Sequence, residues 1–172
     1  MIHVTIFQNK YKECVGFQTE GHAEYADPGQ DIVCAAQLEN GYLDTYYIIN
    51  GMDKMFTNLK DHHELYCFGH LTEGAVAYYQ ATGKDKLLKA AMRFADFIAS
   101  YFGTEEGKCK GYPGHEIAEM ALVRLYEVTG DEKYKKLAEY FVNQRGTQPY
   151  YFDSEGKVTA VSYTHLTLPT TP

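Results

Sequence analysis

At 172 residues with 45 % hydrophobic content, the chain has the length and apolar fraction of one globular domain rather than a disordered segment. Its net charge of −7, with Lys and Arg spread along helix faces, excludes a nucleic-acid surface, because phosphate binding needs clustered cations. No apolar run is long enough for a signal peptide or a membrane span, and the four cysteines (Cys14, Cys34, Cys67, Cys109) lack paired spacing, so a reducing, cytoplasmic location is expected.

The N-terminus alternates Ile2, Val4 and Ile6 with His3, Thr5 and Phe7, and Val15 to Thr19 resumes after a polar turn, which predicts a β-hairpin. Two chemically active residues follow, His22 and Cys34. A cysteine near a helix start, with a histidine to take its proton, makes a thiolate nucleophile. The apolar run Ile32-Val33-Cys34-Ala35-Ala36 equally suits a small core residue.

From Asp61 to Gly83 the pattern becomes helical. Leu65, Phe68, Leu71, Ala75, Val76 and Tyr79 recur at three- and four-residue steps and define a core face. Asp61 is the expected N-cap, Glu64 the acidic first-turn residue and Gly83 the stop. Lys84 to Ser100 restarts the period through Leu87, Leu88, Ala91, Phe94, Ala95 and Ile98, so the unit is an αα-hairpin. Tyr79-Gln80-Ala81-Thr82-Gly83 then returns 47 residues on as Tyr126-Glu127-Val128-Thr129-Gly130. A hairpin of this kind cannot bury its apolar stripe alone, so its copies must stack.

Each first helix opens with His-Glu, at His63-Glu64 and His115-Glu116, which places two imidazoles on one rim of the stack. His63, Cys67 and His70 share a helix face, but one helix seldom encloses a tetrahedral ion, and a buried, hydrogen-bonded His70 is the expectation. Glu105-Glu106 reads as a solvated turn. The sixteen tyrosines, without a single Trp, suit either helix packing or sugar contacts. Lys157 to Pro172 breaks every earlier pattern; its Thr/Pro content predicts an exposed tail, and it resembles translated sequencing-adapter read-through.

Two resemblances organise these segments. Gly21-His22-Ala23 and Gly29-Gln30-Asp31-Ile32-Val33-Cys34-Ala35-Ala36 resemble the start of the ribosomal-processing cysteine protease family Prp, which implies His22 as general base and Cys34 as nucleophile. That resemblance stops after Ala36. Asn40-Gly41-Tyr42-Leu43-Asp44-Thr45, His63-Glu64-Leu65-Tyr66, Gly114-His115-Glu116 and Arg145-Gly146 resemble an internal piece of the β-L-arabinofuranosidases of glycoside hydrolase family 127.

The second resemblance implies a mainly α fold, a partial (α/α)6 barrel of αα-hairpin repeats, here preceded by a short β-hairpin segment from a different α/β fold. The expected divisions are 1–36, a truncated Prp-like segment; 37–153, the partial glycoside hydrolase domain; and 154–172, a disordered or artefactual tail. The reading is a chimera joined near Ala35-Ala36. The resemblance also implies that His63 and His115 contact an L-arabinofuranoside, and that zinc, a cysteine thiolate and a glutamate acid/base act from the later half of the barrel. This chain alone is therefore expected to bind no zinc, to be inactive, and to self-associate through the uncovered edge of its hairpin stack. The alternative is a protease of the Prp type using His22 and Cys34.

Overall fold

A computed structural model describes residues 3–8, 14–20 and 23–155, with side chains from residue 29 onward. Strands β1 (His3–Gln8) and β2 (Cys14–Glu20) pair antiparallel, with Val4 opposite Thr19 and Ile6 opposite Phe17, as the alternating sequence predicts. Helices follow: α1 (Ala23–Ala35), α2 (Thr45–Asn50), α3 (Glu64–Thr82), α4 (Lys86–Tyr101), α5 (Ile117–Thr129), α6 (Glu132–Arg145) and α7 (Tyr151–Ser154), with a single 3-10 turn at Met52–Lys54. The tail from residue 156 and His22 lie outside the described residues.

The repeat holds down to its hydrogen bonds. Gly83 and Gly130 both end their helices in the left-handed conformation, at φ 72° and 71°, where glycine carries no Cβ penalty. Gly83 N–H donates to Tyr79 O and Gly130 N–H to Tyr126 O, at 2.8 and 2.7 Å. Thr82 and Thr129 each donate a hydroxyl to the carbonyl four residues back and accept the amide two residues on. The Tyr, Thr and Gly shared by the two five-residue segments therefore build the same turn twice.

The hairpins stack in two layers, α3 beside α5 and α4 beside α6, with α1 against α4. Between them Leu65, Phe68, Leu71, Ala75 and Val76 meet Leu87, Leu88, Ala91, Phe94, Ala95 and Ile98, the core faces read from the periodicity. Tyr42, Tyr47, Tyr112 and Tyr134 are also buried, so helix packing accounts for much of the tyrosine excess. Tyr42 sits edge-on to Phe56, Phe94 and Phe97 at centroid distances of 5.4–5.8 Å.

Three local expectations change. α3 begins at Glu64, and Asp61 does not cap it; its own N–H instead donates to Asn58 Oδ1. The chain turns into α3 through a left-handed residue, His63 at φ 62°, rather than the extended residue that a side-chain cap requires. Tyr79 is half-buried, and His70 is exposed rather than buried, its ring against Tyr66 at 4.4 Å. Among the described residues no helix is long and apolar enough to cross a membrane.

Candidate functional site

Two loops bring the rim histidines together. His63 ends the loop before α3, His115 lies one residue before the Glu116 cap of α5, and their Nε2 atoms lie 3.3 Å apart with ring centroids at 5.2 Å. At that distance one ring donates and the other accepts, so at least one imidazole is neutral. Burial, with the positive potential of His63 and Arg145 added, holds His115 below the ordinary histidine range against the opposing pull of Glu116. His115 is thus a neutral hydrogen-bonding group at neutral pH. His63 Nδ1 is buried without a hydrogen-bond partner among the described residues.

The close approach has a steric basis. Gly114 lies so near the first loop that a Cβ there would sit 2.7 Å from Lys60 O and 2.9 Å from Leu59 O. On its amide side the same loop is held by Glu155, whose carboxylate accepts Leu59 N–H and Lys60 N–H at 3.0 and 3.2 Å. His62 N–H donates to Asn58 O, and Tyr47 Oη bonds His62 Nδ1. His63 and Phe56 are the two described non-glycine residues at positive φ, each at a cost of roughly 1–2 kcal/mol. Strain of that kind persists only where surrounding contacts over-determine it.

Glu64 supplies such contacts. Although first in its helix, it turns inward and is 2 % exposed; Oε1 accepts Tyr42 Oη–H and Oε2 accepts Phe56 N–H, both at 2.7 Å. Burial pushes its carboxyl up to about 8, opposed by those two hydrogen bonds. On the other side, Arg145 donates to the buried Glu119 at 2.6 Å, lies 3.6 Å from Glu116, and stacks its guanidinium 5.1 Å from the Tyr112 ring. The side chain from the Arg145-Gly146 motif therefore braces the start of α5, next to His115.

Sequence reading singled out the two histidines but not Tyr66, whose ring lies 5.6 Å from His63 and 5.2 Å from His115. Its position three residues after His63, on the same helix face, was the available signal.

The protease reading meets a different geometry. Cys34 is the penultimate residue of α1, at the helix end where partial negative charge disfavours a thiolate, rather than near a helix start. Burial pushes its thiol up, and the favourable Lys86 is offset by Asp31. Its expected base, His22, is not described.

Zinc does not fit the described side chains. No three His, Cys, Asp or Glu among them converge on one point. Cys109 Sγ is taken up by Tyr151 Oη and Gly111 N–H, both at 3.4 Å, and His70 meets Tyr66 edge-on rather than joining His63 and Cys67.

Comparison with known proteins identifies the family. Residues 1–38 match the family model of the cysteine protease Prp, overlapping at 21–38 with a second, much longer match. The chain is 41 % identical over 131 residues to the non-reducing end β-L-arabinofuranosidase of Bifidobacterium longum subsp. longum, covering 74 % of this chain and 20 % of that protein. A GH127 β-L-arabinofuranosidase structure from Geobacillus stearothermophilus T6 shares 51 % identity and a TM-score of 0.75 over 80 % of this chain and 22 % of its own. Another GH127 β-arabinofuranosidase structure, BT3674, shares 42 % identity and a TM-score of 0.67 over 72 % of this chain and 21 % of its own. The chain thus spans about a fifth of the length of these relatives. The longer family match runs over residues 21–168, and the chain belongs to the β-L-arabinofuranosidase GH127 catalytic domain family.

Proposed function

We propose that this chain forms the sugar-holding rim of a β-L-arabinofuranosidase catalytic domain, in which His63 and His115 hydrogen-bond the hydroxyls of a non-reducing-end L-arabinofuranosyl ring. The observation that carries this reading is the imidazole pair itself, two rings with Nε2 atoms 3.3 Å apart at the starts of two repeated hairpins. With His63 Nδ1 buried, an entering hydroxyl takes the place of the Nε2–Nε2 contact, meeting a donor on one ring and an acceptor on the other. Membership of the family supports a carbohydrate ligand.

Bond cleavage needs an acid/base and a nucleophile, and the resemblance assigns the glutamate and the zinc-held thiolate to later helices of the barrel. The 172-residue polypeptide therefore binds the sugar without turning it over. The exposed Met120 and Val123 of α5 and Val142 of α6 support self-association when it is prepared alone.

Calorimetric titration of the purified chain with L-arabinose tests the binding half. His63→Ala and His115→Ala should each weaken affinity about tenfold, the worth of one good hydrogen bond at roughly 1.4 kcal/mol. Affinity unchanged in either variant would remove that residue from the site, and zinc-dependent arabinose release by the chain would overturn the claim of inactivity.

A further inference from the structure

We propose that Glu64 is the positioning residue of His63: its buried carboxyl group, tied to Tyr42 and to the Phe56 amide, fixes the backbone turn that sets the His63 ring against His115. The proposal rests on the sugar-site reading only for its effect on binding; the geometry it explains stands apart from that reading.

An acidic residue at the first position of a helix ordinarily points to solvent, where the dipole rewards it. Glu64 instead lies within the core, where Glu is rarely found unless paired. Its two oxygens bind two separate segments, the Tyr42 hydroxyl from the loop before α2 and the Phe56 amide from the loop before α3. Phe56 and His63 are both left-handed, at φ 55° and 62°, and one carboxylate links them: it binds the amide of the first and belongs to the residue after the second. The segment between them is also held through Glu155 at Leu59 and Lys60, through Asn58 at Asp61 and His62, and through Tyr47 at His62. Without the Glu64 carboxyl group, the Phe56 amide loses its acceptor and the turn at His63 loses its tie to Tyr42. His63 is the residue that would move, and its backbone carbonyl already accepts the first helical bond, from Cys67 N–H at 2.8 Å.

Three variants of the chain test this, read by the cross-relaxation signal between His63 and His115 ring protons and by L-arabinose affinity. Glu64→Ala removes both hydrogen bonds and should abolish the ring contact, raising Kd about tenfold. Glu64→Gln accepts from Phe56 through its oxygen and meets Tyr42 through its amide, and should retain both readouts. Tyr42→Phe keeps the aromatic packing, loses one hydroxyl, and should weaken the ring contact and raise Kd about threefold. If Glu64→Ala does not fold, Tyr42→Phe decides the matter. An intact ring contact and unchanged affinity in Tyr42→Phe and in any folded Glu64→Ala would overturn the proposal, as would a Glu64→Gln chain that loses the contact. If the ring contact responds as expected while wild type binds no L-arabinose, positioning stands and the sugar reading falls.

Discussion

Replacing Gly114 with alanine isolates the step that brings the two histidine loops together. The added Cβ would lie 2.7 Å from Lys60 O and 2.9 Å from Leu59 O. An ordinary carbon–oxygen contact is about 3.3 Å, so the loop must shift by roughly 0.5 Å. Those contacts are backbone rather than the ends of flexible side chains, and the amides of the same two residues are already bound by Glu155. The shift therefore strains that carboxylate clamp and draws His63 from His115. Overpacking of this kind costs about 2 kcal/mol, which for a folded unit of this size lowers Tm by roughly 5–10 °C. Differential scanning calorimetry reads the first effect, and the His63–His115 ring signal reads the second. A Gly114→Ala chain with wild-type Tm and an unchanged ring contact would show that the loops are not in the steric contact described.

Arg145→Ala leaves the Glu119 carboxylate buried without its cation and should cost about 3 kcal/mol in urea unfolding, growing as pH rises because the stranded acid resists ionisation; a loss below about 1 kcal/mol would mean that Arg145 is not a brace. Burial raises Glu64, against its Tyr42 and Phe56 hydrogen bonds and with small additions from Asp44 and Glu155, so the folded state keeps a proton that the unfolded chain releases. The urea midpoint should accordingly fall as pH rises from about 4.5 to about 8, and Glu64→Gln should flatten that slope; a midpoint that rises across the window in wild type and variant alike would contradict the assignment. His115 acts oppositely: its lowered affinity for a proton predicts stability lost as pH falls below about 6.5, and His115→Gln should lessen the acid loss. Cys34, raised by burial at a helix C-terminus, should react with iodoacetamide no faster at pH 7.5 than a cysteine in an unstructured peptide. Faster labelling that His22→Ala abolishes would restore the protease reading.

The repeated hairpins were legible because apolar periodicity and a terminal glycine are local signals: Tyr79 to Gly83 and Tyr126 to Gly130 build the same turn from a shared Tyr, Thr and Gly. The histidine rim was legible for a related reason, since a His-Glu pair precedes or opens the first helix of each hairpin, although the two histidines lie 52 residues apart rather than the 47 of the glycine stops. What stayed hidden depends on distant partners. An acidic first-turn residue reads as a dipole partner, and nothing around Glu64 says that Tyr42, 22 residues earlier, waits for it in the core. Left-handed Phe56 and His63 carry no Gly or Asn to announce them. Asp61, an ordinary cap by type, lost that role because the chain turns into α3 through a strained histidine. Cys34 was placed by motif near a helix start, whereas α1 begins at Ala23 and carries it to the other end.

The most direct measurement is the location of L-arabinose in a crystal of the chain soaked with the sugar. Ring hydroxyls within ~3 Å of imidazole nitrogens of both His63 and His115, with Tyr66 flanking the sugar, are the expected result. A sugar bound elsewhere, or a rim left empty when the sugar is present well above its Kd, would contradict the assignment of this histidine pair to substrate.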